Sequence, residues 1–85
     1  MNHKLESKKM TIRHIKTMHR EVLALMASVD DIEIDMTDVD EVDTSGLAVI
    51  LSWWRYALEH EVKCHFIPSE QVKSLMAIYD IELPV

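Results

Sequence analysis

The apolar residues of this chain change their spacing several times between Ile12 and Tyr79. Ile12, Ile15, Met18, Val22, Leu25, Met26 and Val29 recur every three or four positions, with lysines, arginines and histidines between them. That spacing predicts an amphipathic helix from Thr11, a residue able to cap it, to about Ser28. Ile32, Ile34 and Met36 then alternate with Glu33 and Asp35, the mark of a strand with one covered face. A turn-rich segment follows over Thr37–Ser45, and Gly46–Glu59 is a strong helix candidate. Val62, Cys64 and Phe66 alternate with Lys63 and His65 as a second strand, which Pro68 stops. Ser69 can cap a last helix, in which Val72, Leu75, Met76 and Tyr79 fall on one stripe. The polar residues 1–9 have room for one short strand, around His3–Glu6. Strands alternating with helices favour parallel pairing through right-handed crossovers. The expected fold is therefore α/β, with a small sheet and helices mainly on one face.

At 85 residues the chain makes one small domain, 1–85, without a deep substrate chamber. Such a chain buries roughly 60–65% of its unfolded surface. One cysteine excludes an internal disulfide and a cysteine-based zinc site. One glycine excludes a glycine-rich phosphate cradle. The apolar run around Gly46–Leu51 is too short for a transmembrane helix or a cleavable signal peptide, so a cytoplasmic domain without membrane insertion is expected.

Charge is segregated. Residues 1–20 hold six bases and one acid, and residues 21–43 hold nine acids and no base. The net charge of −6 makes the chain a poor ligand for nucleic acid, whose affinity rests on phosphate contacts. The basic stretch suits an acidic partner or anionic lipid, or forms a solvated helix face.

Metal and nucleophile patterns are weak. His14 and His19 are five positions apart and miss the spacing of a helical zinc site, and His3, His60 and His65 have no partner at ligand spacing. Asp38, Asp40 and Asp43 fail the calcium-loop pattern, because Val42 stands at its fifth position. Cys64 sits at an inward strand position and reads as core. Ser45 has no histidine near it in sequence, so no catalytic residue, metal or cofactor is assigned and no enzyme is expected.

The segment from Val39 to Ala48 joins a strand to a helix and holds the sole glycine. Thr44 or Ser45 is a natural N-cap, and the free amides of a helix start suit a phosphate. Advancing about 100° per residue along the helix puts Leu47, Ile50, Leu51, Trp54 and Leu58 on one side as a core stripe. Ser45, Val49, Ser52, Trp53, Tyr56 and His60 fall on the opposite side. Val49, Trp53 and Tyr56 on that outer face are expected to bind a partner, since exposed aromatics are typical interface anchors.

Asp35-Met36-Thr37, followed by Val42-Asp43-Thr44-Ser45-Gly46-Leu47-Ala48, resembles the signature of STAS domains, the fold of anti-sigma factor antagonists. The resemblance covers roughly Met10–Leu83. It implies a mixed sheet of up to four strands, helices largely on one side, and a binding module without intrinsic catalysis. In the antagonists the serine before the glycine, Ser45 here, is phosphorylated by a partner serine kinase. Asp43 shapes the same loop, with Asp40, Thr44 and Gly46 around it. The unphosphorylated form binds the kinase/anti-sigma factor and frees the sigma factor. The chain is similar also to the small STAS subunit of bacterial ABC transporters that traffic phospholipids. That subunit docks on the ATPase subunit, and the threonine directly after the aspartate, Thr44 here, matters. The Asp-Thr pair and the ending Ile78–Ile81 lean somewhat this way. The first expectation is nevertheless a regulatory module switched by phosphorylation at Ser45, with Thr44 the alternative residue. The transporter subunit stands second and a diverged dimerising domain third. Family members usually have two strands before the first helix, so this N-terminal strand region is shortened. The sheet edge it leaves invites pairing with another chain, and a homodimer is expected.

Overall fold

The computed structural model describes residues 1–83. Its elements run β1 (Asn2–Lys4), β2 (Lys9–Met10), α1 (Ile15–Met26), β3 (Asp31–Asp35), β4 (Glu41–Val42), α2 (Thr44–Glu59), β5 (Lys63–Ile67) and α3 (Glu70–Ile78). This is the small α/β domain that the alternating periods demand.

β1, β3 and β5 form one sheet in that order, and β2 pairs with β4 in a second, two-stranded one. Asn2, His3 and Lys4 stand opposite Glu33, Ile34 and Asp35, and Ile32, Glu33 and Ile34 stand opposite Cys64, His65 and Phe66. Every pairing among the described residues is parallel, where a mixed sheet was implied. Parallel neighbours need a crossover, and α1 and α2 supply it. Residues 1–10 carry two short strands where one was expected. The ladder continues past β1, since the Leu5 amide donates to the Asp35 carbonyl at 2.9 Å.

Helices cover one face of the sheet. Leu5, Ile32, Ile34, Cys64 and Phe66 are buried on it, while Asn2, Lys4, Asp31, Lys63 and His65 of the other face are exposed. Val22, Met26, Ile50, Trp53 and Val72 close the core from the helix side, each at most 1% exposed.

Helix α1 starts later than its apolar spacing suggested. Thr11–His14 forms a turn closed by the His14 amide on the Thr11 carbonyl, 2.8 Å. The Thr11 hydroxyl meets His14 Nδ1 at 2.8 Å and does not cap the helix. Ile12, expected on the apolar face, is 73% exposed. The cause is tertiary, because the Ile12 amide is held by Asp43 Oδ2 at 3.1 Å and lies off the helical track. Helix α3 follows expectation at its start, where Ser69 Oγ accepts from the Val72 amide at 3.2 Å. Its Val72 and Met76 are buried, but Tyr79 is past the helix and half in water.

Candidate functional site

The sole glycine explains how the strand-to-helix junction is built. A Cβ on Gly46 would overlap the Met10 carbonyl oxygen and lie 2.9 Å from Met10 Cβ and from Val42 Cγ2. Only a residue without a side chain lets α2 start this close to β2 and β4. The same contact explains β4, a two-residue strand inside what reads as a turn. Lys8 presents its carbonyl to the amides of Asp40 and Glu41 at 2.8 and 3.2 Å, and Met10 presents its own to the Asp43 amide at 3.3 Å.

Asp43, and neither Thr44 nor Ser45, caps α2. Its Oδ1 accepts from the Gly46 amide at 3.1 Å, and its Oδ2 accepts from the Ile12 amide at 3.1 Å. One carboxylate thus ties the start of α2 to the loop that leads into α1. The order of residues follows from this. With Asp43 as cap, Thr44 and Ser45 become the first two helical residues, and their amides have no intrahelical partner. Thr44 is exposed and Ser45 is half-buried, so the threonine is the more accessible of the two hydroxyls. Asp40 is exposed beside them.

The charge segregation is partly consumed inside the fold. Lys4 pairs with Asp38 at 3.2 Å and Lys9 with Glu41 at 3.6 Å. Both pairs are about half in water, so each contributes less than about 1 kcal/mol. Asp35 closes the C-terminal end of β3. Its Oδ1 accepts from the Thr37 hydroxyl at 2.6 Å and from the Thr37 amide at 2.9 Å. These bonds, the hydroxyl's foremost, hold its carboxyl below the usual carboxylate range, with a small contribution from Lys4.

The outer-face reading of α2 is overturned at Trp53. This side chain is fully buried, and its Nε1 donates to His19 Nδ1 of α1 at 2.9 Å. The acceptor role fixes the His19 hydrogen on Nε2. Val49 and Tyr56, expected with it, are half-buried against the core. Tyr56 stacks on His60, with centroids 4.1 Å apart. Trp53 is the member of that face that meets α1, while Ser52 and His60 on the same face are exposed. The stripe in contact with the core is Gly46, Leu47, Ile50, Trp53 and Ala57. Leu51 and Trp54, placed in the core by the sequence, are half-buried, and Leu58 is 69% exposed. Gly46 and Ala57 were the missed signal, because small residues in register with Ile50 and Trp53 mark the side of closest approach.

Cys64 is buried, and burial pushes its thiol up to about 11. No cluster of three or more His, Cys, Asp or Glu side chains able to hold a metal occurs among the described residues. No helix among them is long and apolar enough to cross a membrane.

A family model described as "Mlab, STAS domain" matches residues 7–82. The chain belongs to the STAS family. No curated protein and no solved structure matches it. STAS domains are binding or regulatory modules and generally non-catalytic, which suits a junction built from backbone bonds and a capping carboxylate. Within this STAS domain, β1 lies outside the matched residues, whereas β2, β4 and the start of α2 lie inside them.

Proposed function

We propose that this STAS domain is a non-catalytic cytoplasmic module that docks on the ATPase subunit of a lipid-transporting ABC complex through the first turn of α2. The exposure of Thr44 directly after the capping Asp43 carries the reading. Asp43 holds the turn rigid from behind with both carboxylate oxygens, so Thr44 is presented in one fixed orientation. Pre-ordering of this kind lowers the entropic cost of association. Leu51, Trp54 and Leu58 line a flank of the same helix and extend the surface with apolar area.

The test is binding of the purified chain to the ABC ATPase subunit of the same genome, by calorimetry. Thr44→Arg should weaken binding at least tenfold and leave the thermal midpoint within about 2 °C, since the side chain is exposed. Unchanged affinity would refute docking through this turn.

A second reading is favoured by the free amides at the start of α2. Ser45 is the second helical residue, where a phosphate meets those amides and the positive end of the helix. Phosphorylation there by an anti-sigma serine kinase would add about −1.5 to −2 charge beside Asp40 and Asp43 and oppose docking. Mass spectrometry after incubation with the purified kinase decides it. Label on Ser45 supports the switch, and label elsewhere or none sinks it.

A further inference from the structure

We infer that the outward side of α1 is a docking surface for an anionic lipid bilayer, whose headgroups Arg13, Lys16 and Arg20 contact. This inference concerns the helix layer of the domain and stands apart from the docking of the first turn of α2.

α1 carries a basic ridge. Ile15, Met18, Val22 and Met26 are its buried residues. At about 100° per residue, Lys16, Arg20 and Ala24 fall on the side away from them, and all three are exposed. Arg13 is exposed in the turn that leads into the helix, three residues before Lys16. On α2, which packs beside α1, Arg55 is exposed and lies off the buried stripe. Ion pairs among the described residues involve Lys4, Lys9 and Lys73 and none of these four bases.

The acids of the chain are placed elsewhere. Glu21, the one acid of α1, lines the cleft of about 490 Å³ between α1 and β1. Asp31, Glu33 and Asp35 alternate with the buried Ile32 and Ile34, and so lie on the open face of the sheet, away from α1. Glu59, one turn after Arg55, is the one acid of α2. Even the shortest extent of the backbone, 18 Å, exceeds the Debye length of about 8–10 Å in physiological salt. The net charge of −6 is thus largely screened from a surface that α1 meets.

Shape favours a bilayer over an acidic protein. A protein partner needs a recess or a packed apolar centre. The clefts beside β1 and along α3 take in none of Arg13, Lys16, Arg20 and Arg55. The exposed residues around the bases are short, Thr17 and Ala24 on α1 and Ala48 and Ser52 on α2. The bases therefore project from a shallow surface, which a fluid array of headgroups matches by rearranging beneath them. Ile12, directly before Arg13, is 73% exposed, and its amide is held by Asp43. One large apolar side chain thus stands on a fixed backbone at the end of the ridge. A bilayer can take it up while the long basic side chains stay at the headgroups.

The test is partitioning of the full chain onto vesicles of equal parts phosphatidylglycerol and phosphatidylcholine, read by flotation, with pure phosphatidylcholine vesicles as the neutral arm. The chain should bind the anionic vesicles alone and leave them in about 1 M salt, where the Debye length is about 3 Å. Lys16→Gln and Arg20→Gln should each weaken partitioning about fivefold, and the two together about twenty-five-fold. Arg20→Lys keeps the charge and should bind as the parent does. A parent that ignores anionic vesicles, binding that survives high salt, or a double variant that binds like the parent would overturn the inference. So would an Arg20→Lys variant that fails to bind. Retention on a poly-glutamate matrix without vesicle binding would assign the ridge to an acidic protein and overturn it as well. Circular dichroism of each variant separates lost binding from lost fold.

Discussion

Replacing Asp43 should damage the fold in two separable steps. Its carboxylate accepts from the Gly46 amide through one oxygen and from the Ile12 amide through the other, each at 3.1 Å. The first bond is an N-cap, and loss of a cap costs about 1 kcal/mol. The second is a bond to a charged acceptor, and such bonds contribute about 1.5–3 kcal/mol. The Ile12 end is exposed, so the lower value applies. Asp43→Ala should therefore destabilise by about 2.5 kcal/mol. For a domain of this size each kcal/mol moves the midpoint by about 4–8 °C, so the fall is about 10–20 °C. Asp43→Asn keeps one acceptor oxygen and caps as well as aspartate, so it should lose only about half as much. The assay is urea unfolding of both variants, with hydrogen exchange at the Ile12 amide as the local reporter. In Asp43→Ala that amide should lose its protection. If Asp43→Asn and Asp43→Ala were equally destabilised, or the Ile12 amide stayed protected, the two-sided role of Asp43 would be refuted.

Trp53→Ala should cost about 3–5 kcal/mol in chemical denaturation, the range for emptying a large core site. Trp53→Phe, which keeps most of the volume but leaves the half-buried His19 Nδ1 without its donor, should cost about 1–3 kcal/mol. A stable Trp53→Ala variant with impaired partner binding would return Trp53 to the surface. Gly46→Ala should cost about 1–3 kcal/mol, because the added methyl meets the Met10 backbone and forces β2 and α2 apart. Nuclear magnetic resonance shifts concentrated at Met10 and Val42 would confirm the site of strain, and a neutral or stabilised variant would contradict it. Asp35 has a lowered pKa, so the stability it contributes is complete above the ordinary value of 3.8 and is lost as pH falls through the folded value. Thr37→Ala should raise the Asp35 pKa in carboxyl-carbon titrations, and its stability deficit should shrink below about pH 4. A deficit constant from pH 7 to pH 2 would mean that Asp35 is not its source.

The strands were legible wherever one face is wet and the other dry. Ile32 and Ile34 alternate with Glu33 and Asp35, and Cys64 and Phe66 with Lys63 and His65, because the open face of the sheet accepts charge at every second position. β2 and β4 were not legible. Each has two residues, and what makes them strands is the pairing of Lys8 and Met10 with Asp40, Glu41 and Asp43, which no local pattern encodes. The cap was ambiguous for a related reason. Asp43, Thr44 and Ser45 are all cap formers, and the choice falls on Asp43 because it alone can serve the Ile12 amide as well. The face of α2 was misread because the helix is apolar over most of its circumference. Two stripes of large residues compete there, and the one that holds a glycine and an alanine can approach the sheet and α1 more closely. The start of α2 as the notable junction was legible from the lone glycine and its neighbours. That Thr44 and not Ser45 is the more exposed hydroxyl depended on the cap.

The all-parallel arrangement has a consequence for how the chain reaches this shape. β1 cannot meet β3, nor β3 meet β5, until about thirty intervening residues have been traversed, so each pairing closes a long loop before any contact rewards it. The start of α2 is subject to the same delay, since the Met10 and Ile12 backbone that shapes it lies about thirty residues upstream of Asp43. On a growing polypeptide, α1 can form as soon as it emerges, while β1 stays single and the Asp43 turn has its N-terminal half waiting. The surface presented around Thr44 is thus complete only when sequence-distant segments have closed on each other. A partner that reads that surface distinguishes folded chains from unfinished ones.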